Sequence, residues 1–498
     1  MNNKKQSLKE AFEEALGYYE KKDLKNVGII CYKILSINPD HIDSLSLLAN
    51  TFAISKNFSK TKELLEKAIK IQPENTTILN NLGTAHRELG DIEKAMIFYQ
   101  KVLKINSNHV NANYNLGLVF YGLKELRRAK EYLEKTVKIQ PNYAFAQYSL
   151  GNLQKDLNEL EQAKESYLQA IKIRPSFASA QNNLGLVFSN LGDPGSALGC
   201  YKKALEIDPK HAGAYNNLGK LHTESGELEK AIESHKMAMK LEPQNLVHSY
   251  YLNELDKNFL NSEVRNKTEE ILNNKETYRI NLVYGNFLLS RYERSEKNYE
   301  KEFNYLIKAH KNYFELKKKQ FELGVQYCFN DAIQISKLAK FENANNSNKI
   351  KPIFIIGVPR CGSTLIEKII GSGKESIPMG EEVVALEHLI NNKVNNKVLD
   401  KKSLNLGDAK SFGDELASIY KKNGLIDEKS NFTFTDKSLN NFHYLELIKA
   451  IFPKAKVINC KRDTLQSIMS IFQNNLTELA WAHNLENIFK YFDNYFKI

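Results

Sequence analysis

From Leu8 to about residue 245, apolar side chains recur at helical spacing, and the pattern itself repeats every 34 residues. Pro39, Pro73, Pro141, Pro175, Pro209 and Pro243 stand on one ladder of that period, with Ser107 on the rung that lacks proline. A second ladder carries Gly83, Gly117, Gly151, Gly185 and Gly219, with Ala49 and Ala15 before them, and a third carries Ala95, Ala129, Ala163, Ala197 and Ala231. Each period predicts a pair of antiparallel helices. Small residues mark close backbone approach, Leu82, Leu116, Leu150 and Leu184 fill the stack, and proline stops the second helix because it cannot extend the hydrogen-bond ladder.

These offsets resemble the tetratricopeptide repeat (TPR). The resemblance implies seven repeats, at 8–41, 42–75, 76–109, 110–143, 144–177, 178–211 and 212–245, wound into a right-handed superhelix whose groove takes a protein or peptide. Residues 246–341 keep helical periodicity without the proline ladder and read as a helical connector, either degenerate repeats or capping helices. The polar stretch 342–351, ENANNSNKIK, reads as a boundary. Beyond it PIFIIG, NFTFTD and AKVINC predict strands, each followed by a helical stretch, so a mostly parallel α/β sheet is expected over 352–498.

At 498 residues the chain exceeds one hydrophobic core, in agreement with several folding units. Apolar residues at 42% and charged residues at 26% are ordinary for a protein in water, and no apolar run is long enough for a membrane span. Glu10, Glu13 and Glu14 interrupt the N-terminal segment where a secretory leader would be apolar, so the cytoplasm is the expected location. Cys31, Cys200, Cys328, Cys361 and Cys460 are scattered, without zinc or disulfide spacing, and are expected as reduced thiols; no metal is expected. The net charge of +11 is spread along the chain rather than gathered into a basic block, which argues against nucleic acid.

The chemistry is concentrated in IIGVPRCGSTL, residues 355–365, where an apolar strand runs through a glycine-containing loop into a helix. That is how backbone N–H groups and a helix N-terminus are aimed at an anion. Gly357 and Gly362 keep the glycine spacing of the nucleotide P-loop, but Ser363 stands where its lysine would be and the cation comes earlier, at Arg360, which disfavours a P-loop kinase.

The loop resembles the 5′-phosphosulfate loop of sulfotransferases, and PRCGST is most similar to the PRSGTT of the tyrosylprotein group; Cys361 replaces the usual serine. The resemblance implies 3′-phosphoadenosine 5′-phosphosulfate (PAPS) as co-substrate, held by Arg360, Cys361, Gly362, Ser363 and Thr364. In MGEE, Glu382 matches the family's general base; in TDKSLNNF, Lys437 matches the lysine that, with Arg360, assists sulfuryl transfer. In VINCKRDTLQSIMSIF, Arg462 and Ser470 match the arginine and serine that bind the 3′-phosphate, and Ser467 lies one helical turn before Ser470. Read alone, adjacent glutamates also suit a helix N-terminus, Lys437 could pair with Asp436, and Arg462–Asp463 could be a turn. Their order after the loop is what favours the site.

The resemblance also implies strands and loops beyond Ile498, so the transferase domain reads as C-terminally incomplete. The leading expectation is a PAPS-dependent sulfotransferase acting on a hydroxyl acceptor, with protein tyrosine the acceptor class that the tyrosylprotein likeness points to and the repeats binding acceptor or partner. The alternative is a non-catalytic TPR scaffold with a shortened transferase domain.

Overall fold

A computed structural model describes residues 2–341, 350–373, 377–380, 383–394, 404–426, 432–477 and 479–497. The chain divides into two compact units, Met1–Leu241 and Glu242–Ile498.

In the first unit, successive helices pair, from Asn2–Glu20 with Leu24–Ile37 to Ala212–Glu224 with Leu228–Leu241. This is a TPR α-solenoid. The glycine ladder has a direct packing reason. A Cβ on Gly151 would stand 2.8 Å from Tyr167 Cε1, and one on Gly83 2.7 Å from Tyr99 Cε1; Leu133 and His235 occupy the same place against Gly117 and Gly219. The side chain sixteen residues on, in the partner helix, fills the notch that glycine leaves. The prolines lie just past the second helix of a repeat, as where Phe58–Ile71 gives way to Gln72 and Pro73.

Two further periodic devices emerge only in three dimensions. The turn inside each helix pair contains one residue with positive φ, at Lys22, Lys56, Gly90, Lys124, Asn158, Gly192 and Gly226. Asparagines also tie first helices of neighbouring repeats together. Asn115 Nδ2 donates to Asn80 Oδ1 at 3.1 Å, Asn183 Nδ2 to Asn152 Oδ1 at 2.8 Å, and Asn217 Nδ2 to Asn182 Oδ1 at 2.9 Å.

The second unit begins with helices Leu246–Leu255, Ser262–Asn273, Arg279–Ser295, Tyr299–Leu316 and Lys318–Gln326. Its strands are β1 (Ala339–Lys340), β2 (Ile353–Gly357), β3 (Leu404–Asn405), β4 (Thr435–Asp436) and β5 (Lys456–Cys460). β1 and β3 pair in parallel; β4, β2 and β5 form a second parallel sheet in that order, with Ile353 opposite both Thr435 and Lys456 and Gly357 opposite Cys460. All five residues of β2 are buried, the near-continuous apolar run typical of a central parallel strand.

β2 joins two cores. Ile355 and Ile356 pack in one with Leu246, Phe287, Leu288, Tyr313, Ile471 and Trp481, so the helices after residue 246 share a core with the sheet. Phe354 packs in the other with Leu386, Phe412, Tyr420, Phe434 and Ile448. His310 adds a buried polar tie, its Nδ1 2.9 Å from His483 Nδ1 and its Nε2 2.7 Å from the Phe472 carbonyl. Burial holds the His310 imidazole down at about 4 and His483 at about 3.

Gly151→Ala tests the notch in the solenoid. Tyr167 cannot swing aside freely because its hydroxyl donates to Asn152 Oδ1 at 2.7 Å. Overpacking should therefore outweigh alanine's better helix propensity and destabilise the first unit by about 1–3 kcal/mol. Urea denaturation of the parent and variant measures it; an unchanged or higher midpoint would show that the notch is not tight.

Candidate active site

β2 delivers its C-terminal end between two parallel neighbours, the crevice where open α/β sheets bind ligands. The loop Val358–Gly362 then turns into the helix Ser363–Gly371. Two residues take the left-handed conformation, Arg360 at φ 67° and Gly362 at φ 97°. Gly362 is the N-cap, and no side chain caps this helix. An uncapped N-terminus beside a tight loop has the N–H groups and dipole that favour an anion.

Gly357 is required by crowding. A Cβ there would lie 2.5 Å from Cys361 Sγ and 2.9 Å from the Cys460 carbonyl oxygen. The loop folds back at this point, with Cys361 N donating to the Val358 carbonyl at 3.2 Å. Cys361 and Cys460 are both free, buried thiols, and burial, then the neighbouring Cys361 thiol, pushes the Cys460 pKa up.

The loop is engaged from both flanking strands. After β5, exposed Arg462 donates from Nη1 to the Arg360 carbonyl at 3.3 Å, and Arg360 Nε donates to Ser470 Oγ at 3.1 Å. Two guanidinium groups and a serine hydroxyl thus meet at one loop. From the β4 side, Lys437, only 6% exposed, donates from Nζ to Thr364 Oγ1 at 2.8 Å and lies 3.9 Å from Glu367 Oε2. Arg360, Cys361, Gly362, Ser363, Thr364, Lys437, Arg462 and Ser470 therefore gather around the C-terminal ends of β2, β4 and β5. Ser467 does not join them. It is wholly buried, with no hydrogen-bond partner for its Oγ.

Glu382, with Glu381, lies outside the described residues. Their chain neighbours are anchored to the Lys437 segment. Thr435 N donates to the Pro378 carbonyl at 3.0 Å, Lys437 N to the Gly380 carbonyl at 3.3 Å, and Val384 N to Ser438 Oγ at 3.0 Å.

Several positioning residues escape a sequence reading. Glu367 is 1% exposed and accepts from Thr435 Oγ1 at 2.5 Å; its spacing of three from Thr364 was the available signal. Asp436 is fully buried and accepts from Tyr420 Oη at 2.5 Å, Ser438 Oγ at 2.8 Å, Ser438 N at 3.1 Å and Asn441 Nδ2 at 2.8 Å. Burial pushes its pKa up against those bonds. Asp436 thus fixes the backbone that carries Lys437, rather than pairing with it.

Family profiles agree with this architecture. Residues 352–495 match the profile of the Sulfotransferase family. Residues 176–243, 83–124, 154–192 and 110–143 match profiles of the tetratricopeptide repeat. An uncharacterized protein of Aquifex aeolicus is 28% identical over 220 residues, which cover 42% of this chain and 28% of that protein's length. Among solved structures, MamA is 29% identical, covering 33% of this chain and 95% of its own, with a TM-score of 0.31. YrrB, described as a TPR protein with an unusual peptide-binding site, is 25% identical, covering 38% of this chain and 97% of its own, with a TM-score of 0.33. No helix among the described residues is long and apolar enough to cross a membrane, and no described group of three or more His, Cys, Asp or Glu could hold a metal.

Asp436→Ala tests the support of Lys437. It strands the Tyr420, Ser438 and Asn441 donors, each at a cost of about 1–3 kcal/mol where no water replaces the acceptor. The second unit should melt at a clearly lower temperature by calorimetry. Because the raised carboxyl pKa means the native state binds this proton more tightly, Asp436 contributes stability below its unfolded pKa and loses it as pH rises through the folded one. The parent–variant gap should therefore be wider at pH 4 than at pH 8; a gap that widens toward pH 8 would contradict this assignment.

Proposed function

We propose that the second unit transfers a sulfuryl group from PAPS to a hydroxyl acceptor, while the TPR solenoid binds the protein or peptide that is acceptor or partner. A sulfotransferase-family domain and TPR repeats are present. The observation that carries the donor assignment is the double engagement of one loop, by Arg462 and Ser470 at Arg360 and by Lys437 at Thr364.

The residues fit such a donor. The uncapped helix after Gly362, with Arg360, suits the 5′-phosphosulfate; Arg462 offers a fork for the 3′-phosphate beside the Ser470 hydroxyl. When bound, PAPS supplies a sulfuryl group and a phosphate leaving group. Lys437, held out of bulk water next to the loop, is placed to offset charge on that leaving group, the role fixed cations play in phosphoryl transfer. Glu382 takes the acceptor's proton in this reading, as its position in MGEE implies by resemblance. No metal is needed for these roles. Tyrosine peptides are one acceptor class, and the cytoplasm is the compartment we assign.

Glu382→Gln keeps the side chain's shape and removes its basicity. PAPS binding should persist while transfer of radiolabelled sulfonate to hydroxyl acceptors falls by roughly 10²–10⁴-fold. Arg360→Ala should weaken binding and transfer together. Full transfer by Glu382→Gln would remove Glu382 as base, and donor binding without any transfer by the parent would favour a non-catalytic scaffold.

A further inference from the structure

Next to Lys437 the second unit contains a cavity of about 530 Å³, within the size range of small-molecule sites. Ser438 belongs to its wall, one residue along the chain from Lys437. Its aromatic part is Tyr327, Trp481 and Tyr491, the last two with rings stacked 3.9 Å apart at 8°, and aliphatic side chains such as Leu439, Leu476 and Leu479 supply further apolar wall.

One carboxylate stands in this wall. Glu387 is 8% exposed, accepts from Asn440 Nδ2 at 3.0 Å on each of its oxygens, and lies beside the Tyr327 hydroxyl. No lysine, arginine or histidine among the described residues forms an ion pair with it. Both neighbours, an amide and a phenol, are neutral, and a buried charge without a counter-charge is costly. The groups around it supply none. Burial first, and the charge of Glu387 among the other causes, raise the pKa of Tyr327, Cys328, Tyr444 and Tyr491, so these side chains stay neutral. Lys490 acts on Cys328 from over the Phe329 ring, 4.7 Å from its centroid, without pairing with Glu387. The Tyr491 hydroxyl, on a side chain 1% exposed, has no hydrogen-bond partner.

We infer that this cavity is the acceptor pocket and that it selects hydroxyl compounds carrying a protonated amine. The ammonium pairs with Glu387, the partly exposed Tyr327 ring adds cation–π attraction, and the stacked Trp481–Tyr491 pair offers an apolar edge to the ligand's frame. The acceptor role rests on the sulfotransferase reading; recognition of the amine does not.

Three phenols of similar size and different charge separate the possibilities: tyramine, 4-ethylphenol and 3-(4-hydroxyphenyl)propionate. Their affinities for the full chain are measured by calorimetry without donor, so a failure of sulfuryl transfer leaves the binding result standing. Tyramine should bind at least tenfold more tightly than 4-ethylphenol, the anion should bind most weakly, and Glu387→Gln should abolish tyramine's advantage. Equal affinities for the three, no binding of any, or an advantage that survives Glu387→Gln would each overturn the inference. If the variant melts abnormally, the charge series on the parent decides alone. Selective tyramine binding with no transfer to it, in a chain that sulfates other hydroxyls, would overturn the acceptor role and leave an amine site.

Discussion

The second unit depends on the place where β2 ends. Its loop emerges at the centre of a parallel sheet, and each neighbouring strand sends a cation to it: Lys437 from β4, Arg462 from β5. The chain crosses from one side of β2 to the other between β4 and β5, which opens the crevice at the strands' C-terminal ends. Everything that gives the loop its shape serves this convergence. Gly357 admits Cys361 and the Cys460 carbonyl, Gly362 turns the chain into the helix, and Asp436 holds the Lys437 backbone through four hydrogen bonds.

The same convergence explains how polar groups are tolerated in the interior. Asp436 sits among donors, where hydrogen bonds replace the lost hydration. Glu367 bridges Thr435 and the neighbourhood of Lys437, linking β4 to the helix after the loop. Glu387 differs from both. Its neutral partners, the Asn440 amide and the adjacent Tyr327 hydroxyl, leave its charge uncompensated, so the cavity can discriminate by charge, the property by which the proposed pocket would select.

Periodicity made the solenoid legible: a 34-residue spacing reports identical contacts, and the glycines mark where a tyrosine, leucine or histidine enters. The left-handed turn ladder was hidden because lysine, asparagine and glycine share it, so no one residue type marks it. In the second unit the loop, Lys437, Arg462 and Ser470 could be read from local motifs, since the first three lie where a strand ends and Ser470 lies in the helix that follows Arg462. Their mutual contacts could not, because Arg360 and Ser470 are 110 residues apart and only the sheet order brings them together. Burial likewise separated Ser467 from Ser470, which helical spacing alone had placed on one face. Glu387 carried no motif at all; its significance comes from residues 327, 440, 481 and 491 assembling around it.

On the proposed function, the loop and its two flanking cations form a site for a nucleotide with both a 5′-phosphate group and a 3′-phosphate. Calorimetric titration of the full chain with adenosine 3′,5′-bisphosphate and with ATP, at one fixed salt concentration, tests it most directly. ATP has no 3′-phosphate for Arg462 and Ser470 to hold, and a charge-assisted hydrogen bond contributes about 1.5–3 kcal/mol. The bisphosphate should therefore bind at least tenfold more tightly, with the difference lost in Arg462→Ala. Equal affinities, or a preference for ATP, would contradict the claim.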